Sequence, residues 1–461
     1  MTVSSQRRSI SIPDLRSTIH GQVIAPGDPD YDASRNAMSG EFDRHPAVIV
    51  RVADTDDVIT TVAAARESGL ELAVRSGGHS GAGHSTTEGG ILLDLAGLNM
   101  LDIDPATRTA WAGSGLTAGE ITAATAEHGL AVPFGDTGSV GIGGLTTGGG
   151  IGYLIRKYGM TIDSLLAAEL VTADGQVLRV DEQNHPDLFW AIRGGGGNFG
   201  IATRFQYRLR ELPGIVGGML VLPATADTIA GFIAAAEAGP EELSGIANVM
   251  PAPPMPFLPE EVHGTLVIFS QLAYAGNDAD AGQRALAPFR TLATPLADLM
   301  RPMSYPELFP PEDDSYHPTA VAKILFLDRV DRGVAETILE HLNASDAPMR
   351  VAQLRVLGGA MARIPSDATA FAHRRSRIIA ALAAFYEGPE DRVQKQAWLD
   401  RFYEAMRQDD PGAYVNFVND EGPERVRAAY PGATWDRLAE IKGRYDPENL
   451  FHVNHNIPPS S

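Results

Sequence analysis

The stretch AVRSGGHSGAGHS occupies residues 73–85 and contains four glycines, three serines, two histidines and one arginine. Neither a helix interior nor a strand interior has this composition, because glycine loses more backbone freedom on folding than any other residue. The residues ELAVRS are predicted to form a strand, so we expect a loop that starts where this strand ends. Consecutive backbone N–H groups in such a loop can form a nest that suits a phosphate group.

Three further glycine clusters follow, at residues 113–119, 138–152 and 194–200. One cluster alone would most often mark a tight turn, because glycine is a common turn residue. Four clusters within about 125 residues favour a shared ligand instead, since glycine lets a ligand approach the backbone closely.

Two of these clusters match dinucleotide-binding fingerprints. The segment GGGNFG (195–200) matches G-x-G-x-x-G, but a predicted helix precedes it and a strand follows, which is the reverse of the required order. The segment GSGLTA (113–118) lies between a predicted strand and a helix, with Asp136 about 20 residues on. Alone, it would favour an NAD-type dehydrogenase, but it leaves RSGGHS and GIGGLTTGGGIG unexplained.

The composition limits the remaining function classes. The chain has 461 residues, a formal net charge of −21 and no cysteine, so disulfides and Cys-ligated metal centres are excluded. We predict no metal site, and the negative charge argues against nucleic acid and anionic membranes as partners. The chain has no apolar run that would span a bilayer and no signal-peptide pattern, so we expect a cytoplasmic protein.

Predicted strands and helices alternate through about the first 200 residues, which indicates an α/β or α+β domain. The composition of the chain changes after Leu212 and Pro213, where the glycine clusters end and Pro-rich loops begin. We therefore expect a second domain over residues 213–410. The final segment, 411–461, ends in an extended polar stretch that we expect to dock onto the rest of the chain.

Five motifs together resemble a known family. In order, VRSGGHS, GIGGLTTGGGIGYLIRKYG, RGGGGNFGIATRF, AYVNF and YDPENLFHVNHNIPP resemble the FAD-linked oxidases of the berberine bridge enzyme-like group, in the vanillyl-alcohol oxidase class. The resemblance extends over residues 31–458. It implies an α+β fold with a two-subdomain PCMH-type FAD-binding domain (1–212) that includes the C-terminal segment (411–461). It also implies a substrate domain with an antiparallel sheet flanked by helices (213–410).

The resemblance also implies cofactor residues. His79 matches the histidine that carries FAD covalently at its 8α methyl. Thr137 stands where many members have a second, cysteinyl attachment, so the resemblance is to the singly attached branch. The remaining matches surround the cofactor: Arg75, Ser76, Gly77, Gly78, Ser80, Ser139, Gly143, Gly144, Gly148, Gly149, Asn198, Ile201, Asn454 and Asn456.

For catalysis, the resemblance implies that Tyr414 is the base, with Asn416 beside it. Val140 matches a small residue that accompanies oxygen access to the flavin. A phenol has a pKa near 10 and needs nearby positive charge to act as a base at neutral pH. The sequence offers three candidate cations, Arg75, Arg156 and Lys157. Leu382 aligns loosely with an acid or amide of the plant enzymes, which predicts a more apolar base site.

These matches predict an oxidase that removes hydride from a C–OH or C–N carbon of a small molecule and is reoxidised by molecular oxygen to give hydrogen peroxide. The alternatives are a flavin dehydrogenase with another electron acceptor, an oxidative cyclase of a natural-product pathway and a non-catalytic flavin carrier. Alcohols, amines, aldoses and natural-product intermediates are all open as substrates. We expect a monomer or a homodimer.

Overall fold

The structure is a computed structural model that describes residues 10–309 and 316–460. Within these residues the strands form three large sheets and one short two-stranded ribbon. The described chain contains no helix that is long and apolar enough to cross a membrane.

The first sheet has the order β1-β2-β4-β3, with β2, β3 and β4 parallel and β1 antiparallel at the edge. The buried run Val48–Arg51 is apolar on both faces, as strands in parallel sheets usually are. Helix α3 is capped at its start by the Asp54 side chain and ends at Gly69, whose φ is 66°. The elements are α1 (Ile12–Thr18), β1 (Gln22–Ile24), α2 (Tyr31–Arg35), β2 (Val48–Arg51), α3 (Thr55–Ser68), β3 (Leu72–Arg75) and β4 (Ile91–Asp94).

The second sheet is antiparallel throughout, with the order β5-β6-β10-β8-β9. Helix α4 begins with a capping box between Thr117 and Glu120. The elements are β5 (Leu101–Asp104), β6 (Thr109–Gly113), α4 (Ala118–Ala126), β7 (Leu130–Ala131), α5 (Ile142–Gly148), α6 (Ile155–Tyr158), β8 (Leu165–Val171), β9 (Val177–Asp181), α7 (Pro186–Ala191), β10 (Ile201–Arg208) and β11 (Arg210–Glu211). The short ribbon pairs β7 with β11.

This sheet rules out the dinucleotide-binding interpretation of residues 113–118. That fingerprint needs a parallel strand-helix-strand unit, whereas β6 pairs antiparallel with both neighbours. A Cβ added at Gly113 or Gly115 would overlap the carbonyl oxygens of Leu98 and Leu95. These glycines therefore allow two chain segments to touch.

The third sheet is antiparallel, with the order β15-β12-β14-β13-β18-β19-β17 and β16 beside β12. The remaining elements are β12 (Ile215–Pro223), α8 (Ala226–Ala238), β13 (Leu243–Pro251), β14 (Leu266–Tyr274), α9 (Ala279–Arg290), β15 (Ala297–Asp298), β16 (Arg301–Met303), β17 (Ala320–Leu327), α10 (Arg332–Asn343), β18 (Arg350–Val356), α11 (Ala360–Arg363), β19 (Ile378–Phe385), α12 (Gly388–Met406), α13 (Pro423–Ala429) and α14 (Ala433–Tyr445).

The two faces of the third sheet pack against different partners, because side chains alternate along a strand. Leu354 and Leu382 pack in one core with helices α8, α10 and α12. Ile324, Phe326 and Ile379 pack instead in the core that contains the second sheet. The face of the third sheet that carries Ile324, Phe326 and Ile379, called its second face below, therefore lies toward the glycine-rich loops.

The C-terminal segment returns to the first two sheets. Buried Lys442 donates to the carbonyl oxygens of Asn198 and Phe451, at 2.8 and 2.9 Å, and pairs with Asp446 at 2.5 Å. Asn198 accepts a hydrogen bond from Ile457 N at 2.9 Å. These contacts tie the last residues to the glycine-rich segment at 194–200. We propose domain boundaries at residues 212 and 410.

Candidate active site

A cavity of about 450 Å³ lies between the glycine-rich loops and the second face of the third sheet. Three of the four glycine clusters contribute to its wall, and the cluster at 113–119 does not. The predicted site residues that line it are Ser76, Gly77, Gly78, His79, Ser80, Thr137, Val140, Gly143, Gly144, Asn198, Ile201, Tyr414, Asn416 and Asn454. Thus segments distant in sequence meet around a single cavity.

The glycine loops at residues 77–83 and 138–152, called the first and second loops below, touch each other through bare backbone. A Cβ added at Gly77 would overlap the backbone nitrogen of Gly141, and a Cβ at Gly141 would overlap that of Gly77. Ser76 Oγ donates to the carbonyl of Ser114 at 2.6 Å and accepts from the N–H of Gly143 at 3.1 Å. Glycine is thus required on both sides of this contact.

His79 lines the cavity from the first loop, and Ser139 holds its ring from the second loop. Ser139 Oγ lies 2.8 Å from His79 Nε2. In the tautomer in which Nε2–H donates to Ser139, the ring lone pair is on Nδ1, the nitrogen that can then bond to carbon. Ser139 is outside the cavity lining, but it orients the predicted attachment residue.

Other parts of the cavity wall contain polar groups and open backbone that suit a ligand. Asn454 Oδ1 is buried and has no hydrogen-bond partner among the described residues. A Cβ added at Gly144 or Gly197 would enter open space. Apolar side chains such as Ile151 and Val415 complete the wall. This combination of backbone groups and apolar surface fits an aromatic ring joined to a pyrophosphate, as in FAD.

Tyr414 lies at the junction of this cavity and the third sheet, and it is buried. Its hydroxyl oxygen accepts hydrogen bonds from Gly150 N at 2.8 Å and from Asn416 Nδ2 at 3.0 Å. Burial raises the pKa of Tyr414 well above its ordinary value, although these two donors and the charge of Arg355 act in the opposite direction. The phenol therefore keeps its proton at neutral pH.

The three cations that the sequence offered for Tyr414 are engaged elsewhere. Arg75 pairs with Asp94 at 3.1 Å and bonds to the carbonyl of Asn36, and it does not line the cavity. Arg156 donates to the carbonyl of Leu243 at 3.1 Å, and Lys157 donates to that of Ala275 at 2.6 Å. Each side chain is thus engaged in a structural contact, and the cation that lowers the pKa of Tyr414 is Arg355 rather than one of these three candidates.

Three other predicted cofactor residues lie outside the lining. A Cβ at Gly148 would overlap the Asn416 amide, and one at Gly149 would lie 2.6 Å from Met160 Cε. Both glycines make room for side chains, and Gly149 also has a φ of 140°. Asn456 has a buried Oδ1 without a hydrogen-bond partner in the described chain, but its side chain is away from the cavity.

The charged residue that the sequence did not reveal is Arg355, on β18. It lines the cavity, is 7% exposed, and pairs with Asp136 at 2.8 Å between Nη2 and Oδ2. Leu382, on the adjacent strand, belongs to the opposite core. The wall at this point contains an ion pair, in which β18 supplies Arg355 and the loop after β7 supplies Asp136. No local motif marks Arg355, since strand pairing alone brings it to this place.

Val140 completes the wall near the second loop. Its half-buried side chain packs against the core of the second sheet and faces the cavity. Its carbonyl accepts a hydrogen bond from Ala118 N at 2.9 Å. The valine is thus held in place through its backbone, and its side chain adds a small apolar surface.

Two parts of the chain match known protein families. Residues 46–181 match the FAD binding domain model, and residues 413–458 match the model described as berberine and berberine-like. These matches cover three of the four glycine clusters, those at 77–83, 113–119 and 138–152, and the segment with Tyr414. The fold and the cavity together define an FAD-linked oxidoreductase.

Full-length relatives give the same result. The chain is 31% identical to (R)-6-hydroxynicotine oxidase of Paenarthrobacter nicotinovorans, over 96% of this chain and 97% of that protein. It is 30% identical to an uncharacterized FAD-linked oxidoreductase of Bacillus subtilis, over 95% and 98% of the two chains. It belongs to the berberine bridge enzyme-like family of FAD-linked oxidoreductases.

Solved structures agree with this fold. The crystal structure of 6-hydroxy-D-nicotine oxidase from Arthrobacter nicotinovorans superposes with a TM-score of 0.85 at 28% identity, over 96% of this chain and 98% of that one. Xylooligosaccharide oxidase from Myceliophthora thermophila superposes with a TM-score of 0.84 at 24% identity, over 98% and 99% of the chains. The latter similarity concerns the fold alone.

Proposed function

We propose that this protein is an oxidase of small molecules, that FAD is attached to it through an 8α-histidyl bond to His79, and that the oxidised carbon bears an amino or hydroxyl group. The observation that carries the proposal is the placement of His79, Tyr414 and Val140 on the wall of one cavity. When bound, FAD would accept hydride from the substrate and pass the electrons to molecular oxygen, giving hydrogen peroxide.

The attachment uses His79 alone, because the chain has no cysteine and Thr137 stands at the second position. Ser139 fixes the ring through Nε2. This contact restricts the imidazole to one orientation, and in the tautomer in which Nε2–H donates to Ser139 the Nδ1 lone pair is left for the bond to FAD.

The state of Tyr414 favours an amine among the candidate substrates. An alcohol must lose its hydroxyl proton as hydride leaves, which requires a base. A neutral amine needs no such base, because its nitrogen lone pair stabilises the positive charge that develops on the carbon. Tyr414 has both lone pairs engaged by Gly150 and Asn416, so its O–H is the group left to donate. We propose that it donates to an acceptor group of the substrate other than the reacting nitrogen, so that the amine lone pair stays free and the C–H bond is positioned.

Two measurements test this proposal. Denaturing mass spectrometry of the purified protein should show the mass of the chain plus FAD. A peroxide-release screen should then find turnover with small secondary or tertiary amines at pH 8–9, about where such amines are partly neutral. A protein without bound flavin would contradict the proposal. Reduced flavin that reoxidises slowly in air but rapidly with an artificial acceptor would indicate a dehydrogenase.

A further inference from the structure

We propose that Arg355 anchors an anionic oxygen of the substrate, and that this enzyme therefore selects small molecules that carry a carboxylate or a phenolate at a distance from the oxidised carbon. The inference rests on the proposed function, because it assigns the substrate class of the same cavity.

The hydrogen bonds of Arg355 leave one amino group for a ligand. Nε and Nη2 donate to Gln353 Oε1 at 2.9 and 2.6 Å, and Nη2 also bonds to Asp136 Oδ2 at 2.8 Å. Nη1 is buried and has no hydrogen-bond partner among the described residues. A buried charged donor without a partner is unfavourable and is rare in folded proteins. An acceptor supplied by the substrate would complete the set.

The plane of the guanidinium is fixed before any ligand arrives. Its carbon lies 5.0 Å from the centre of the Phe417 ring, which also lines the cavity. Gln353 is itself held by Asn248, because its Nε2 donates to Asn248 Oδ1 at 2.8 Å. Arginine on an aromatic face with two fixed acceptors is preorganised for a planar anion. The direction of Nη1 is thus set by the protein.

Arg355 and Tyr414 provide two separate contact points for a substrate, one for each of its ends. Phe417 lies in the same turn as Tyr414, and the centres of the two rings are 4.9 Å apart. A molecule with its oxidised carbon near Tyr414 can therefore reach Arg355 along the Phe417 ring. Asp136 reduces the net charge of this wall, but it binds Nη2, so an anion on Nη1 is closer to the positive charge than to the carboxylate. The balance favours an anion.

Benzoate and benzamide test the inference on the holoenzyme, because they have similar shape and differ in charge. Each would be titrated into the protein while the flavin absorbance spectrum reports binding. We expect benzoate to bind at least about tenfold more tightly than benzamide, as a charge-assisted hydrogen bond predicts. Equal affinities in the wild-type protein would overturn the inference. A protein without a flavin spectrum would instead contradict the proposed function.

Three variants identify the residue responsible. R355M should bring the two affinities within about twofold, whereas the control R332M, which removes an exposed arginine of α10, should leave the ratio unchanged. D136N should tighten benzoate binding, because it removes the competing carboxylate. If R355M does not retain flavin, D136N and the more conservative R355K still decide the matter. Unaltered benzoate selectivity in both of them would overturn the inference.

Discussion

His79 and Ser139 lie 60 residues apart in the sequence, and their side chains meet at 2.8 Å. The contact joins the loop that carries the predicted attachment residue to the loop that faces it. We expect H79A to bind FAD only reversibly, if at all. S139A should attach FAD more slowly, by about tenfold or more, because the ring loses its orienting partner. Denaturing mass spectrometry after timed incubation with FAD would measure both effects.

His84 provides the matched control for that experiment, since it lines the same cavity five residues further on. H84N should still attach FAD. Full attachment in H79A, or loss of attachment in H84N alone, would show that the two histidines have been assigned the wrong way round.

Y414F should lower kcat/KM by about 10- to 100-fold, because the substrate loses a hydrogen-bond donor and Gly150 and Asn416 lose their acceptor. The ring itself should still pack against Phe371 and Phe417. The pH profile should keep its shape between about pH 6 and pH 9, since a phenol with a raised pKa does not titrate there. Loss in Y414F of an acid-side limb, along which the activity of the wild-type protein rises with pH, would identify the tyrosine as a working base. Y430F, which alters a buried tyrosine away from the cavity, is the control.

Alkaline pH should destabilise the fold. Burial raises the pKa of several tyrosines, namely Tyr153, Tyr207, Tyr305, Tyr414 and Tyr430. Above about pH 10 the unfolded chain loses these protons while the folded chain keeps them, so the free energy of unfolding falls with rising pH. Each group contributes at most about 1.4 kcal/mol per pH unit. Denaturant unfolding between about pH 9 and pH 11 should show a smaller slope for Y414F than for the wild-type protein.

Acid should destabilise the fold through His84. Burial lowers the pKa of His84 to about 3, and the charges of His455 and Arg44 act in the same direction. The unfolded chain takes up a proton near pH 6.5, whereas the folded chain does so only near pH 3. The stability that this histidine contributes is therefore complete above pH 6.5 and is lost as the pH falls toward 3. H84N should make the acid limb of the stability curve shallower; an identical limb would contradict the assignment.

V140I should slow reoxidation of the reduced flavin by oxygen by about tenfold, because the larger side chain narrows the wall of the cavity. The rate of anaerobic reduction by substrate should change by less than about twofold. Stopped-flow absorbance separates the two steps. V418I, which enlarges another valine of the same cavity, should leave reoxidation nearly unchanged. Equal slowing in both variants would remove the special role of Val140.

The family resemblance was sufficient for the fold class, and it located most of the cavity wall. Motifs such as RSGGHS and AYVNF record local requirements, so they can be recognised in the sequence. For Gly148 and Gly149 the structure adds a second reason for glycine, because both positions leave room for a neighbouring side chain. The cluster at 113–119 likewise serves the close contact of two chain segments.

The pair formed by Arg355 and Asp136 could not be predicted from the sequence. The two residues are 219 positions apart, and neither lies in one of the five motifs that carry the family resemblance. Arg355 faces the cavity because β18 pairs with β19 in a register that places it opposite Ile379. A shift of one residue would turn it toward the helices. Such information is present only in the tertiary structure.

The contact between Gly77 and Gly141 has a practical consequence for engineering. At that point the wall of the cavity is built from main chain, so a side chain introduced at either glycine would separate the two loops. On the opposite wall the exchangeable side chain of Arg355 lines the cavity, and Gln353 and Asn248 support it through a chain of hydrogen bonds. A library restricted to those three strand positions should change which molecules the enzyme accepts, while its members still bind flavin.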